Sequence, residues 1–450
     1  MPLPAPSPEI RREAAATVRL AGPIIGGQLA MTGLSFIDTV MAGKLSAADL
    51  AAVAIGGSFW SATGLFFLGV LMAMPPSVAQ LAGGGRFRRA APLLRQGLWL
   101  SLGLAVAAAA VVLHPEPLLR TFDVEPELIP IVAGYLQGIA WGIPAWFAYL
   151  ALRFFCEGMG DARPVLWFGL VGMPVNAAGN YVLMYGKLGF PALGAVGCGH
   201  ATAVVWWAQL TGIVLYLLLR RRYRDLHLFA RLEPPRRRPI GELLRIGLPI
   251  GIAIFVEASL FAVAALVIGS IGTLAVAGHQ VALNFVAVTF MVPLGIAMAT
   301  TVRVGHAVGR GDRAGVRRAA WTGVGLAMAV QVGNALLMVT LPRSIAGLYT
   351  SDPRVIAAAA ELLLLAAVFQ LSDGLQASAA GALRGLKATK APMAITVVAY
   401  WLLGFPLGYQ LAIGRGAGAP GMWVGMIAGL TLAALLLAAG LWRLTRPATA

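Results

Sequence analysis

The chain has 450 residues, of which 59% are hydrophobic and only 12% are charged. A soluble domain of this length keeps about a quarter of its residues charged, and its core is too small to hide so many apolar residues. The composition therefore excludes an ordinary soluble protein and indicates a membrane protein. The net charge of +16 does not indicate nucleic-acid binding, because the basic residues form short clusters between apolar segments. We expect the lipid bilayer as a partner and no nucleic acid.

Apolar runs of twenty or more residues recur along the whole chain, and each is long enough to cross about 30 Å of hydrocarbon. The runs are continuous rather than alternating, which predicts helices and not the strands of a barrel. The first run is too long for a cleaved signal peptide. Twelve transmembrane helices are predicted, at residues 14–41, 48–79, 90–114, 128–152, 162–186, 193–219, 243–270, 275–305, 316–341, 354–380, 391–413 and 419–442.

The distribution of basic residues predicts the orientation of these helices. Most of the 34 lysines and arginines precede the first helix, follow an even-numbered helix or lie at the C-terminal end. By the positive-inside rule, both termini are then cytoplasmic, in a multi-pass protein of the bacterial inner membrane. The connections on the other side hold only Lys44, Arg120, Lys187, Arg343, Arg354 and Arg415.

The two halves of the chain show a weak internal repeat. Pro23 and Pro249 lie 226 residues apart, and so do Gly97 and Gly323. This spacing predicts a duplication of six helices, and hence an all-α protein with two pseudo-symmetric six-helix lobes around a central cleft. The predicted organisation is a cytoplasmic N-terminal tail (1–13), an N-terminal lobe (14–220), a basic cytoplasmic linker (221–242), and a C-terminal lobe with a short cytoplasmic tail (243–450).

Three acidic residues stand well inside predicted helices: Asp38, Glu257 and Asp373. Such residues are expensive in hydrocarbon and usually functional. No lysine or arginine lies within the same predicted span to neutralise them. A buried carboxylate without a basic partner tends to hold a proton near neutral pH or to bind a cation, and either behaviour suits a transporter. The bland alternative is a carboxyl group that merely hydrogen-bonds between helices.

Polar residues near these acids are further candidates. Asn176 and Asn180 are four residues apart and so share one face of a helix, where their carbonyl oxygens could bind a hard cation or simply join two helices. His279 and Gln280 begin the predicted eighth helix, and we expect a structural or cleft-lining role for them rather than metal binding. The histidine has no second His or Cys nearby.

Aromatic side chains could line the cleft. Phe369, Trp146 and Tyr135 could stack on a cationic drug, although aromatic residues in so apolar a chain usually serve packing. An intramembrane enzyme is not expected, because none of the five histidines is paired at i,i+4 and no nucleophile motif is present.

At this point several segments resemble a known family. The segment from Pro23 through Asp38-Thr39-Val40-Met41-Ala42-Gly43 resembles the first helices of multidrug and toxic compound extrusion (MATE) transporters. Glu257, Ala277-Gly278-His279-Gln280, Gln370–Gln376 and Ala379–Gly385 are similar to its NorM-type bacterial branch. The resemblance implies two six-helix lobes and the export of organic cations in exchange for Na⁺ or H⁺, without a cofactor.

The resemblance also implies two cation sites. Asp38 would belong to one of them with Asn176 and Asn180, and Glu257 to another with Asp373. These two carboxylates would be the Na⁺ ligands if Na⁺ is the coupling ion.

One departure concerns Phe369, where the branch commonly has tyrosine; the coupling ion is therefore left open. A flippase for lipid-linked precursors is the alternative, but its cleft is expected to carry arginines, and none is predicted mid-span. We expect a monomer.

Overall fold

The computed structural model describes residues 7–121, 124–231 and 233–446, and every regular element in these ranges is a helix. The all-α expectation is thereby confirmed. The first six residues of the predicted tail lie outside the described residues. The chain divides into two compact units. The N-terminal unit comprises Gly26–Gly251, and the C-terminal unit comprises the described residues up to Ile25 and from Ile252 onward.

Two long helices contribute to both units. Helix α1 spans Pro8–Gly43 and α11 spans Arg237–Ile271. The boundary between the units falls after Ile25 in α1 and after Gly251 in α11, which are 226 residues apart. The repeat in the sequence therefore reappears as a repeat in how the chain is divided. The other helices of the N-terminal unit are α2 (Ala47–Leu71), α3 (Met74–Gly83), α4 (Ala90–Val112), α5 (Glu116–Thr121), α6 (Ile129–Ala140), α7 (Ile143–Gly158), α8 (Arg163–Leu183), α9 (Gly194–Leu219) and α10 (Arg221–Arg224).

The C-terminal unit contains the remaining helices and two π-helical segments. The π-helical segments are Val398–Gly404 and Gln410–Gly414, and they interrupt what the sequence predicts as one continuous eleventh span. The α-helices are α12 (Thr273–Arg310), α13 (Arg313–Thr340), α14 (Pro342–Gly347), α15 (Pro353–Gly385), α16 (Lys390–Val397), α17 (Phe405–Tyr409) and α18 (Gly418–Thr445).

Each of the twelve predicted spans corresponds to one of these helices or to a consecutive set of them. Among the described residues, ten helical segments are long and apolar enough to cross a membrane, and α6 with α7 forms an eleventh that bends by 47°. Helix α8 is the remaining predicted span, and Asn176 and Asn180 lower its hydropathy. Two helices begin earlier than predicted, since α1 starts at Pro8 and α11 at Arg237.

Local sequence explains several helix boundaries. Ser46 caps α2 by accepting a hydrogen bond from the Asp49 N–H at 2.9 Å, and Asp312 caps α13 in the same way from Gly315. Asp352 caps α15 by accepting a hydrogen bond from the Arg354 N–H, and this contact lowers the pKa of the Asp352 carboxyl.

Glycines bring α6 and α9 into direct backbone contact. A Cβ built on Gly199 would lie 2.2 Å from the Tyr135 carbonyl oxygen, and one on Gly138 would lie 2.8 Å from the His200 nitrogen. Small residues at such contacts allow helices to approach closely in a membrane, where packing rather than water drives association. This contact holds Tyr135 beside the cavity described below.

We expect Gly199→Ala to destabilise the protein by about 1–3 kcal/mol, because the added methyl group meets backbone that cannot move aside. Gly103→Ala in α4 is the matched control, since a Cβ there meets no atom within 4 Å. The melting temperatures of the two variants in detergent, measured by size-exclusion chromatography after heating, should differ clearly. Equal melting temperatures would contradict the close α6–α9 contact.

Candidate functional site

Asp38 is buried in the N-terminal unit and is held by the two predicted asparagines. Its Oδ1 accepts a hydrogen bond of 2.7 Å from the Asn180 Nδ2, which also lies 3.4 Å from the Asn176 Oδ1. The Cys198 thiol and the Thr202 hydroxyl lie next to the carboxylate as well. The structure therefore brings together the three residues that the resemblance implies, on α1 and α8, and adds two from α9.

Two buried oxygens beside Asp38 have no hydrogen-bond partner within the described ranges. They are the Asn180 Oδ1 and the Thr202 Oγ1. A buried acceptor without a partner is costly, and such atoms often mark the place of an ion or a water molecule. With the carboxylate, they form a set of hard oxygen atoms suited to a small cation. The predicted hard-cation chemistry fits the atoms that are present.

A cavity of about 280 Å³ opens beside Asp38 within the N-terminal unit. Its walls include Trp146 and Tyr135, the two predicted aromatic residues of this half. They also include Trp60 and Trp206, which lie 5.1 Å and 5.8 Å from Trp146 between ring centroids. The cavity thus joins one carboxylate to a cluster of three indole rings. The sequence gave no reason to single out Trp60 and Trp206 from the other aromatic residues.

Arg153 also lines this cavity, and this corrects a prediction. The predicted fourth helix ends at residue 152, so Arg153 was expected to lie outside it. In the structure α7 continues to Gly158, and the Arg153 side chain is only 3% exposed. Its Nε donates to Glu157 at 2.8 Å and its second terminal nitrogen donates to Gln28 at 3.0 Å. An arginine therefore lies inside a span, but its charge is balanced one turn away.

The other two predicted acids lie together in the C-terminal unit. Asp373 on α15 is buried, and its carboxylate interacts electrostatically with that of Glu257 on α11. The Gln376 amide is a hydrogen-bond partner of Glu257, and Arg384 interacts with Glu257 through its charge. The expectation that no basic residue neutralises these acids is wrong for Glu257, because α15 extends to Gly385 and includes Arg384. Two carboxylates share one guanidinium group.

Tyr400 is a candidate that the sequence did not indicate. It lies in the first π-helical segment and is 1% exposed, and its hydroxyl has no hydrogen-bond partner among the described residues. Its phenol interacts electrostatically with both Glu257 and Asp373. The neighbouring Trp401 donates to the Val256 carbonyl at 3.3 Å, which joins the segment to α11 directly beside Glu257. Tyr400 thus supplies a neutral oxygen at the acidic pair.

The remaining predicted residues have different surroundings. Phe369 is buried between Phe261 and Trp423, with ring centroids 5.9 Å and 5.8 Å away. The Trp423 Nε1 donates to the His279 Nδ1 at 3.2 Å, and His279 is fully buried. These contacts favour the structural role for His279 over metal binding. Gln280 is exposed, and its place in a cleft stays a prediction.

The two units place a buried arginine at related positions. The 226-residue register pairs Met31 with Glu257. Arg153 lies 3.5 Å from the Met31 sulfur, and Arg384 interacts with Glu257. In the N-terminal unit the balancing carboxylate comes from the arginine's own helix, whereas in the C-terminal unit it comes from α11. The scaffold repeats and the acids do not, as the sequence predicted.

A chain with many membrane-spanning helices that buries carboxylates and a closed aromatic cavity among them has the construction of a membrane transporter. The MatE family model matches residues 23–182 and 249–410, which is more than half of the chain. The chain belongs to the MatE family, as its resemblance to MATE transporters implied. The two matched segments begin 226 residues apart, in the register of the internal repeat.

Curated relatives are similar over almost the whole chain. "Probable multidrug resistance protein NorM" of Xanthomonas campestris pv. campestris is 45% identical over 434 residues, which is 96% of this chain and 95% of the relative. "Multidrug resistance protein PmpM" of Pseudomonas aeruginosa is 44% identical over 442 residues, 97% of this chain and 93% of the relative. These similarities confirm the NorM-type branch.

Solved structures confirm the fold. The crystal structure of the Vibrio cholerae MATE transporter VcmN in its bent form superposes with a TM-score of 0.86 at 16% identity, covering 98% of each chain. The eukaryotic MATE transporter AtDTX14 gives a TM-score of 0.86 at 21% identity, covering 96% of this chain and 95% of that one. The chain is therefore an all-α, multi-pass membrane protein with the MATE fold.

We expect Arg153→Met to destabilise the protein by about 3–5 kcal/mol, because it leaves the Glu157 carboxylate buried without its partner. The double variant Arg153→Met/Glu157→Leu removes both charges and should recover most of that loss. Thermal unfolding of the purified variants measures both effects. A single variant as stable as the parent protein would mean that Glu157 does not depend on the guanidinium group.

Proposed function

We propose that this protein is a multidrug efflux antiporter, which exports organic cations in exchange for Na⁺ or H⁺ by alternating access. Relatives at 44–45% identity carry the names of multidrug resistance proteins, which supports drugs as the cargo. The observation that carries the proposal is the cavity that combines Asp38 with three tryptophans. It is matched by a second acidic site, within the C-terminal unit.

The cavity has the chemistry of a site for a flat, positively charged organic molecule. Indole faces attract cations by about 0.5–2 kcal/mol each, and more where water is excluded. The Arg153 charge is balanced by Glu157, so Asp38 leaves the surroundings with one net negative charge. A cation is then the cargo that restores neutrality. The apolar walls add affinity without demanding one particular shape, which suits a transporter of several drugs.

The acidic pair of the C-terminal unit is the proposed coupling site. Glu257 and Asp373 carry two negative charges when ionised and Arg384 carries one positive charge, so one further cation completes the balance. Either a proton or Na⁺ can supply it. A coupling ion must bind the two facing states of the transporter with different affinity, because equal binding shifts neither population. Tyr400 offers a hydroxyl oxygen to a bound Na⁺ or a hydrogen bond to a protonated acid.

A flippase for lipid-linked precursors is less well supported than the drug antiporter. Such a protein needs free guanidinium groups to hold a diphosphate. The one arginine at the N-terminal cavity, Arg153, is already engaged by Glu157 and Gln28. Its charge is therefore not available to an anionic cargo.

The membrane setting of the proposed antiporter follows from charge. The basic clusters support a bacterial inner-membrane location with both termini cytoplasmic. We propose a monomer as the working unit, since each proposed site is built within one unit of one chain. No cofactor is needed, because the ion gradient supplies the free energy for export.

We expect Asp373→Asn to abolish drug efflux while the protein still folds and inserts. An amide has the shape of the carboxylate but cannot take up a proton or balance a cation. Glu361→Gln is the matched control, because it neutralises an exposed carboxylate on the same helix. Export of a fluorescent dye cation from cells with equal protein levels measures the effect. Efflux at the parent rate in the Asp373 variant would exclude this carboxylate as the coupling site.

We expect Tyr400→Phe to slow efflux driven by the coupling ion, because it removes the hydroxyl beside both acids. The control Tyr409→Phe changes a half-exposed ring in the same span and should have no effect. Proteoliposomes with separately imposed Na⁺ and pH gradients measure both. Phe369→Tyr, which adds a hydroxyl one turn before Asp373, should strengthen the response to Na⁺ if Na⁺ binds there. Unchanged responses in Tyr400→Phe would leave this tyrosine outside the site.

A further inference from the structure

A large groove lies at one end of the C-terminal unit, away from both acidic sites. It has a volume of about 1080 Å³ and is bounded by the start of α1, the start of α13 and the end of α18. Its walls include Glu9, Arg313, Arg317, Trp321, Trp442 and Arg446. The transport mechanism proposed above uses none of these residues.

The groove is strongly basic. Arg318 is engaged in an ion pair with Glu9, which leaves Arg313, Arg317 and Arg446 as three net positive charges. Arg313 and Arg317 are exposed, and neither has a hydrogen bond or ion pair within the part of the chain that the structure describes. The Arg446 guanidinium lies 3.4 Å from the centroid of the Trp442 ring, so its charge is held at the edge of the groove.

The order of residues along α13 follows the chemistry of a phospholipid. Arg313, Arg317, Trp321 and Gly325 recur every four residues and so share one face of the helix. At 1.5 Å per residue, Trp321 lies about 12 Å further along than Arg313. Its indole N–H donates to the Thr445 hydroxyl at 3.3 Å, which fixes the ring against α18. The groove is therefore charged at the helix end, aromatic one to two turns deeper, and open and apolar at Gly325.

We propose that this groove binds one anionic phospholipid, with the phosphate at Arg313, Arg317 and Arg446 and an acyl chain passing Gly325. Tryptophan at the headgroup level and arginine beyond it are the usual interfacial anchors of membrane proteins. Because both termini border the groove, the orientation proposed above places it in the cytoplasmic leaflet, where basic residues recruit anionic lipids. The inference rests on the proposed function for this orientation alone and not for transport.

Two pairs of variants separate a built site from general attraction to basic residues. Arg313→Gln/Arg317→Gln removes two charges from the groove, and Arg88→Gln/Arg89→Gln removes two exposed charges from the N-terminal unit. Gly325→Phe fills the apolar part of the groove, because a Cβ there meets no atom within 4 Å. Gly333→Phe is equally unobstructed, lies two turns along the same helix and is not part of the groove.

The test is native mass spectrometry of the full chain in neutral detergent, titrated with phosphatidylglycerol, phosphatidylcholine or glycerol phosphate. We expect one phosphatidylglycerol to bind at least tenfold more tightly than phosphatidylcholine. Both groove variants should lose this preference, and both controls should keep it. The proposal is overturned if Arg88→Gln/Arg89→Gln weakens binding equally, if Gly325→Phe has no effect, or if glycerol phosphate competes at the same concentration. Loss of drug efflux in any variant has no bearing on this result.

Discussion

An ionised side chain in hydrocarbon must be balanced by a partner or put to use, and this constraint organises the interior of the protein. Arg153 and Glu157 balance one another on consecutive turns of α7. Asp38 is satisfied only by the amide of Asn180 and by its neutral neighbours. Glu257 and Asp373 share a single arginine. The interior is thus neutral where it serves structure and short of positive charge where cargo and ions are proposed to bind.

The internal repeat shows how one scaffold can carry two kinds of site. Both units place a buried arginine against the same position of their first long helix, but only the second unit has a carboxylate there. In the first unit that position is Met31, and the arginine is balanced from its own helix. The first unit therefore keeps its free carboxylate, Asp38, for the aromatic cavity. Duplication supplied the framework, and later divergence of a few side chains separated cargo binding from ion coupling.

Most of the fold could be predicted from the sequence because membrane helices are written as long apolar runs and basic loops. Asp38, Glu257 and Asp373 could be predicted because an acid in such a run is conspicuous. Arg153 was missed since helix ends are uncertain by a few residues, and a shift of six residues moves a side chain from loop to cavity. Trp60 and Trp206 were missed because single aromatic residues in an apolar chain carry no sign of whether they line a cavity or fill a core.

Tyr400 was missed for a different reason, which lies in the geometry of its helix. A π-helical segment holds about one residue more per turn than an α-helix of the same length, so the helical faces before and after it are out of register. Deletion of one residue within Val398–Gly404 would restore α-helical geometry and rotate one side of the span by about 100° relative to the other. A different side chain would then face Glu257 and Asp373. Relatives with a shorter segment could therefore differ in their ion preference with every residue of the acidic pair unchanged, and a comparison by substitutions alone would not detect it.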